Sequence, residues 1–246
     1  MEVFNTDGVV LKVRHTGESD RIVTVLTRDR GVISAFAKAA RRPKSKLHAG
    51  TQTFCYADLT YSKRGDTLNI TEAAVKEVFY DLNDDLKTLA LAQYFCQLAE
   101  ELIPPGDTDG EPLRLLLNSL HFLCSRKKPA LLIKAITELR LAALAGYAPD
   151  IDGCCMCGTE DSAHMYLDCN EGVFYCKTCG GEFKGAHLGH AAFAAMRHIV
   201  AAEFDRIYAV RLMDDAMPEL SAVAERYMLS QTERGYSTLT FYRSIE

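Results

Sequence analysis

The sequence predicts an α+β protein: an N-terminal five-stranded barrel followed by an α-helical domain that carries a four-cysteine insert. Three observations lead there. The first 80 residues fall into short β-branched runs broken by turn residues, apolar side chains take up helical spacing after that point, and two C-x-x-C pairs interrupt the helical pattern.

The elements follow in order. Asp7–Arg14, Arg21–Thr27 and Val32–Lys38 are strand-like, with Arg28-Asp29-Arg30-Gly31 as the turn between the last two. Phe54–Ser62 alternates as a fourth strand, and Thr67–Val78 is a fifth after the hairpin-like Lys63-Arg64-Gly65-Asp66. Five short strands without a helical period match the OB-fold, which predicts a barrel domain over 1–80. From Leu82 to Leu102 apolar residues recur on one helical face, with Asn83 or Asp84 as cap, and Pro104-Pro105-Gly106 ends the run. A second helix spans about 111–125 with Pro112 in its first turn, and a third opens at Pro129 and ends near Gly146. Residues 150–184 form the cysteine insert. Its centre, Met165–Asp168 and Gly172–Tyr175, predicts a hairpin between two ligand turns. Helical periodicity returns over about 190–203 and 218–231, so residues 81–246 are expected to form one helical domain around the insert.

Charge is distributed unevenly. The net charge of the 246 residues is -5, and mean hydropathy is -0.07. Residues 1–80 carry 13 Lys/Arg against 9 Asp/Glu, whereas residues 81–246 carry 15 against 24. A small basic module on an acidic body attracts phosphate backbones even when the whole chain is acidic. No apolar run reaches membrane-spanning length. Nine cysteines, an odd number, and an opening without a signal peptide predict a reducing, cytoplasmic setting.

Cys154, Cys157, Cys176 and Cys179 form the two C-x-x-C pairs, with eighteen residues between them. Each tight turn points two sulfurs at one ion, and two such turns complete a tetrahedron of thiolates. The expectation is one structural zinc, because a catalytic zinc keeps a position open for water. A redox dithiol and a disulfide pair are the competing readings. Gly158 follows the first pair and Gly180 and Gly181 the second, where backbone curvature is tight. Cys55, Cys96 and Cys124 sit in apolar patterns and are expected in the core, with Cys155 and Cys169 as bystanders. His164, His187, His190 and His198 are expected at surfaces or helix ends, since four thiolates satisfy zinc.

Between the third and fourth strands, residues 38–46 (KAARRPKSK) hold five cations in nine positions: Lys38, Arg41, Arg42, Lys44 and Lys46. Such a tract neutralises phosphates and releases counterions. Its place on a barrel type that binds single strands makes it a candidate nucleic-acid interface, and a solvated surface loop is the alternative. Arg14, Arg21 and Lys12 are candidates to extend the groove. Phe36 and Phe54 are read as core residues. Motifs for phosphate cradling, dinucleotide binding, zinc proteolysis and serine hydrolysis are missing, and the zinc-deaminase pattern fails at Tyr175, so the chain does not read as an enzyme.

Taken together, the chain resembles the RecO family of bacterial recombination mediators. The resemblance rests on Gly8-Val9-Val10-Leu11, Gly17-Glu18-Ser19-Asp20-Arg21, Thr27 and Gly31, the tract Ala39–Ser45, and Gly146-Tyr147-Ala148-Pro149 before Cys154-x-x-Cys157-Gly158. It covers nearly the whole length, in order. It implies an N-terminal OB-fold, a helical domain with a zinc-bearing insert, and a non-enzymatic role in DNA repair in the bacterial cytoplasm at the nucleoid. It also implies binding of single- and double-stranded DNA, annealing of complementary strands, and, with RecR, assistance to RecA on strands coated with single-strand-binding protein. The DNA contacts would fall on Lys38, Arg41, Arg42 and Lys44, with Arg14 and Arg21, and the metal ligands on the four cysteines. The chain departs from the family in carrying Ala39-Ala40 where glycine is frequent. Two rival classes stand beside this reading: a zinc-dependent enzyme acting on nucleic acid, and an adaptor whose basic loop only solvates it. The helical body also offers Arg126, Lys127, Lys128, Lys134, Arg197 and Arg206 as cations for an acidic partner segment.

Overall fold

In a computed structural model, which describes residues 2–106, 109–160, 163–180 and 185–245, the N-terminal strands close on themselves. They are β1 (Glu2–Thr16), β2 (Asp20–Thr27), β3 (Val32–Ala37), β4 (Cys55–Arg64) and β5 (Thr67–Val78), arranged β1-β2-β3-β5-β4 with β4 returning to β1. Every pairing is antiparallel except that of β3 with β5. This is the expected OB-fold.

Closure depends on β1. Its first half, Glu2–Val9, pairs with β4, and its second half, Gly8–Thr16, pairs with β2. A register shift between Val10 and Lys12 bends the strand between its two partners. Gly8 lies at the handover, facing both Thr27 and Ala57, and a Cβ there would meet Leu26 O and Val25 Cγ1 at 2.6 Å each. Only glycine fits. Inside the barrel Val10, Val23, Val25, Ala35, Ala37, Leu59, Tyr61 and Ile70 form the core, with Ala40 and Leu47 from the β3–β4 connection added to it.

At the handover Asp7 collects three partners. Arg28 donates to it bidentately at 2.7 and 2.6 Å, the Tyr56 hydroxyl donates to its second oxygen, and Lys76 stands 3.4 Å away. Asp7 is 8% exposed. The hydrogen bond from Arg28 outweighs burial and holds its carboxyl well below the usual carboxylate range. Strands β1, β4 and β5 and the residue that follows β2 are thereby joined through one carboxylate.

The chain divides into two compact units, Met1–Ser125 with Phe241–Glu246, and Arg126–Thr240. In the first, a 3-10 turn (Tyr80–Asp84) precedes α1 (Leu86–Leu102), followed by α2 (Glu111–Ser125). The helix therefore begins four residues after the predicted Leu82. Asp85, in extended conformation, is the cap in place of Asn83 or Asp84, accepting from the Thr88 amide at 2.9 Å and the Thr88 hydroxyl at 2.6 Å. Both helices lie against β1 and β2, so the outward-facing Val9, Leu11 and Leu26 are buried too.

In the second unit, α3 (Ala130–Leu144) leads to a three-stranded antiparallel sheet of order β7-β6-β8, made of β6 (His164–Asp168), β7 (Val173–Cys176) and β8 (Ala186–Gly189). The expected hairpin is β6–β7, and β8 is a third strand that sequence reading did not distinguish from the following helix. A short α4 (Lys177–Gly180), then α5 (His190–Ala201), a 3-10 turn (Phe204–Ala209) and α6 (Ala216–Thr232) follow, with α7 (Ser237–Ser244) after them. Lys134 is not a surface cation. At 2% exposure it bridges Glu138 at 3.0 Å and Glu225 at 2.8 Å, linking α3 to α6. Arg197 is engaged by Glu160 at 2.8 Å.

The Asp7 cluster yields a pH prediction. A depressed folded-state value means that Asp7 contributes stability above its unfolded value, ~3.9, and loses it as pH falls toward the folded value. Asp7→Asn is expected to cost roughly 1.5–3 kcal/mol at pH 7, the worth of hydrogen bonds to a charged group. The deficit should shrink between about pH 4 and pH 2. Urea unfolding of both proteins across that range measures it, and a deficit that stays constant with pH contradicts the assignment.

Candidate nucleic-acid interface and cysteine cluster

The basic tract lies on the 17-residue connection from Lys38 to Phe54 between β3 and β4, a chain of consecutive turns. Local bonds shape it: Arg42 N donates to Ala39 O at 3.1 Å, Ser45 N to Arg42 O at 2.9 Å, and His48 N to Ser45 O at 3.1 Å. Three contacts then tie the tract to the β1–β2 turn. Ala39 N donates to Asp20 Oδ1 at 2.7 Å, Arg41 N to Ser19 O at 2.9 Å, and the Arg41 guanidinium to Glu18 O at 3.1 Å. Ala39 adopts φ 55, the left-handed region where glycine is unstrained. The Ala39 departure noted in the sequence thus falls on a position with a backbone reason for glycine.

Lys38, Arg41, Arg42, Lys44 and Lys46 are all exposed. Arg14 is also exposed, on β1 opposite Ile22. Arg41 is held at the β1–β2 turn, Arg14 lies on the strand that leads to this end of the barrel, and Lys38 directly follows β3. Lys12 does not join them, because it is paired with Glu100 of α1 at 3.1 Å.

Arg21 is turned inward, which corrects its reading as part of the groove. It is 8% exposed, and its guanidinium donates to His48 O at 2.9 Å, Thr51 O at 3.3 Å and Thr51 Oγ1 at 2.9 Å. Burial, with Arg41 nearby, lowers its pKa. The physical reason is strand parity: Arg21 shares the inward face of β2 with Val23 and Val25, and the connection carries unpaired carbonyls that need a buried donor. Parity overturns a second reading. Phe36 alternates with the inward Ala35 and Ala37 and is 41% exposed, whereas Phe54 is in the core at 5%. The Ala-x-Ala pattern of β3 was the signal, since a narrow interior takes the small residues.

In the second unit the four cysteine sulfurs lie within 4.8 Å of one another, and Cys157 Sγ and Cys176 Sγ are 3.8 Å apart. Thiolates ~2.3 Å from a tetrahedral metal stand about 3.8 Å from each other, so the cluster fits such an ion. The first knuckle is built by Cys154 N donating to Thr159 O and Gly158 N to Cys154 O, with Gly158 at φ 71. A bond from Cys155 N to Phe174 O joins it to β7. The second knuckle is the β7–α4 junction, where Cys179 N points at Cys176 Sγ from 3.4 Å. Gly181 lies outside the described residues.

Burial pushes the Cys154 thiol up, but amides of Cys176, Met156 and Cys157 outweigh it and bring it down to about 6. The Cys179 amide lowers Cys176, while Cys179 itself, hydrogen-bonded to Cys157, is pushed up to about 12. Such a set holds thiolate charge that a cation would neutralise. Cys55 and Cys96 are buried in the core as expected, and Cys124 is half-buried. His164 and His187 pair at 2.9 Å, and His187 meets Glu219 at 2.7 Å.

Comparison with known proteins agrees with the sequence reading. The family descriptions Recombination protein O N terminal and Recombination protein O C terminal match residues 1–79 and 83–239. The chain is 34% identical to a DNA repair protein RecO of Acetivibrio thermocellus, covering all of this chain and 98% of that protein. It is 33% identical to the DNA repair protein RecO of Symbiobacterium thermophilum over the same shares, and 28% identical to that of Alkaliphilus metalliredigens over 99% of this chain and 100% of the other.

The two arginines at this end of the barrel separate structural from surface charge. Arg21→Met is expected to destabilise the protein by ~3 kcal/mol, because it removes charged hydrogen bonds and strands buried carbonyls. Arg14→Ala should stay within about 0.5 kcal/mol of the parent. Equal urea midpoints for the two variants would contradict this division.

Proposed function

The chain belongs to the RecO family of DNA repair proteins, and from that premise we propose that it is a mediator that acts by holding DNA strands. The family membership supports a role in recombinational DNA repair, with mediators rather than catalysts as its members. The finer reading is that the protein binds single- and double-stranded DNA, anneals complementary strands, and assists RecA, together with RecR, on strands coated with single-strand-binding protein.

One observation carries it: five cations of a single connection, Lys38, Arg41, Arg42, Lys44 and Lys46, are all exposed while the backbone beneath them is fastened to the barrel. Fixed cations neutralise phosphates without ordering a loop on binding, and they lower the repulsion between two strands brought together. Arg14 belongs to this surface, and Arg21 serves it as the buried brace. In this reading residues 1–80 are the DNA-binding domain, and residues 81–246, with the insert at about 150–184, are the partner-docking domain.

Cys154, Cys157, Cys176 and Cys179 would hold one zinc ion. Zinc there supplies cross-linking of the two knuckles. Four thiolates fill its tetrahedron and leave no position for water, which favours a structural role over the enzyme alternative.

Replacing Arg41, Arg42 and Lys44 together by Ala is expected to weaken single-strand binding and flatten its log–log salt dependence by about 0.7 per lost contact. The same variant should anneal complementary strands more slowly, and the parent should anneal them without ATP. Unchanged affinity and slope in a folded variant would sink the interface. Annealing that requires ATP would reopen the enzyme reading.

Elemental analysis should find about one zinc per chain. Cys176→Ser should lose the ion and lower the melting temperature, since a structural site contributes folding free energy. A stoichiometric loss of zinc with an unchanged melting temperature speaks against the structural role.

A further inference from the structure

The outer face of the barrel is only partly covered. Where α1 and α2 lie against β1 and β2, Thr24 is 4% exposed and Lys12 is bound to Glu100. One cross-strand row further, the cover ends. There Arg14 of β1 faces Ile22 of β2, Ile22 faces Phe36 of β3, and Phe36 stands beside Asn69 of β5. Directly opposed residues share a face of the sheet, so these four side chains form one continuous row. Arg14 is exposed, Ile22 and Asn69 are half-buried, and Phe36 is 41% exposed. Lys38 follows one residue past the end of β3, keeps the outward phase and is exposed.

A lone exposed apolar side chain needs no explanation. This ring is not alone in that sense: it lies on an apolar strip with Ile22, and cations bound the strip. Arg14 stands two strands away, about 10 Å at ordinary strand spacing, and Lys38 two residues along, about 7 Å. Arg41 is fastened at Glu18 of the adjoining β1–β2 turn. The carboxylate on this stretch of β2, Asp20, is occupied by the Ala39 amide. A flat apolar floor within a cationic rim is complementary to a nucleotide whose base face is open and whose phosphates are anionic. Duplex DNA hides its base faces in the stack, so the same floor offers it nothing. A neutral or basic peptide would leave the cations without a counter-charge.

We infer that Phe36 is a base-stacking platform for single-stranded DNA, with Arg14 and Lys38 receiving the phosphates on either side of the stacked base. The inference rests on the proposed DNA-binding role and adds to it a residue that distinguishes single strands from duplex. Cationic contacts alone bind both forms.

The test uses the full-length protein. Phe36→Ala is expected to lose about tenfold in affinity for a dT oligonucleotide, with its salt dependence unchanged and duplex affinity within about twofold of the parent. The chain contains no tryptophan, so Phe36→Trp places the only indole of the protein on this face. Its affinity should equal the parent's, and its emission should be quenched on addition of dT. Parental single-strand affinity in Phe36→Ala together with unmoved emission in Phe36→Trp overturns the inference. So does equal loss of single-strand and duplex binding in Phe36→Ala. If the salt slope still depends on Arg41, Arg42 and Lys44, the mediator reading survives that result. A parent protein that binds no single strand overturns both.

Discussion

One strand, shared between two neighbours, sets the geometry of the N-terminal unit. Because β1 hands over from β4 to β2 within its own length, it must bend, and the bend needs a residue without a Cβ at Gly8. The handover brings Asp7, Tyr56 and Lys76 from three strands, with Arg28 just past the end of β2, to one point, where a bidentate ion pair joins Asp7 to Arg28. It also carries the far end of β1 out to the β1–β2 turn. That turn is the anchor for the cationic connection, so the position of the basic surface follows from how the barrel closes.

Charge in this protein does two separate jobs, and composition does not distinguish them. Asp7 and Lys134 are buried and neutralised by opposite charges, and Arg21 is buried and satisfied by carbonyl and hydroxyl acceptors, so that loss of one side of an interaction is expensive. Arg14, Arg41, Arg42, Lys44 and Lys46 are exposed. Between them stands Asp20, an acid in a basic region, whose carboxylate holds the Ala39 amide and thereby the start of the tract. A reading by net charge counts Asp20 against the interface, whereas the geometry makes it part of the foundation.

What the sequence made legible was local. Two C-x-x-C pairs, the five β-branched runs and the helical spacing after residue 82 were each readable within a short window, and the cysteine cluster, the barrel and the helices correspond to them. The missed features depended on partners distant in the chain. Arg21 reads as a surface cation until Thr51 and His48 are placed against it. Asn83 and Asp84 look as suitable for capping as Asp85, and the choice rests on Leu82 being buried in a 3-10 turn instead of in the helix. Strand β8 has four residues, too few for alternation to separate it from α5. Phe36 was legible in principle, since Ala35 and Ala37 fix the parity of β3, but the general preference of phenylalanine for the interior pointed the other way.

The fastening of the β3–β4 connection has an evolutionary consequence. Its hold on the barrel comes from backbone amides and carbonyls, from Asp20, and from the inward Arg21, together with the buried Ala40 and Leu47. Apart from the Arg41 guanidinium, which donates to Glu18 O, the outward side chains make no part of that hold, and substitutions at such surface sites usually shift stability by no more than about 0.5 kcal/mol in either direction. Lineages can therefore gain or shed cations here one at a time without risking the barrel. In the proposed DNA-binding role, affinity for polyanions would be a trait that changes with a cell's ionic strength independently of the fold.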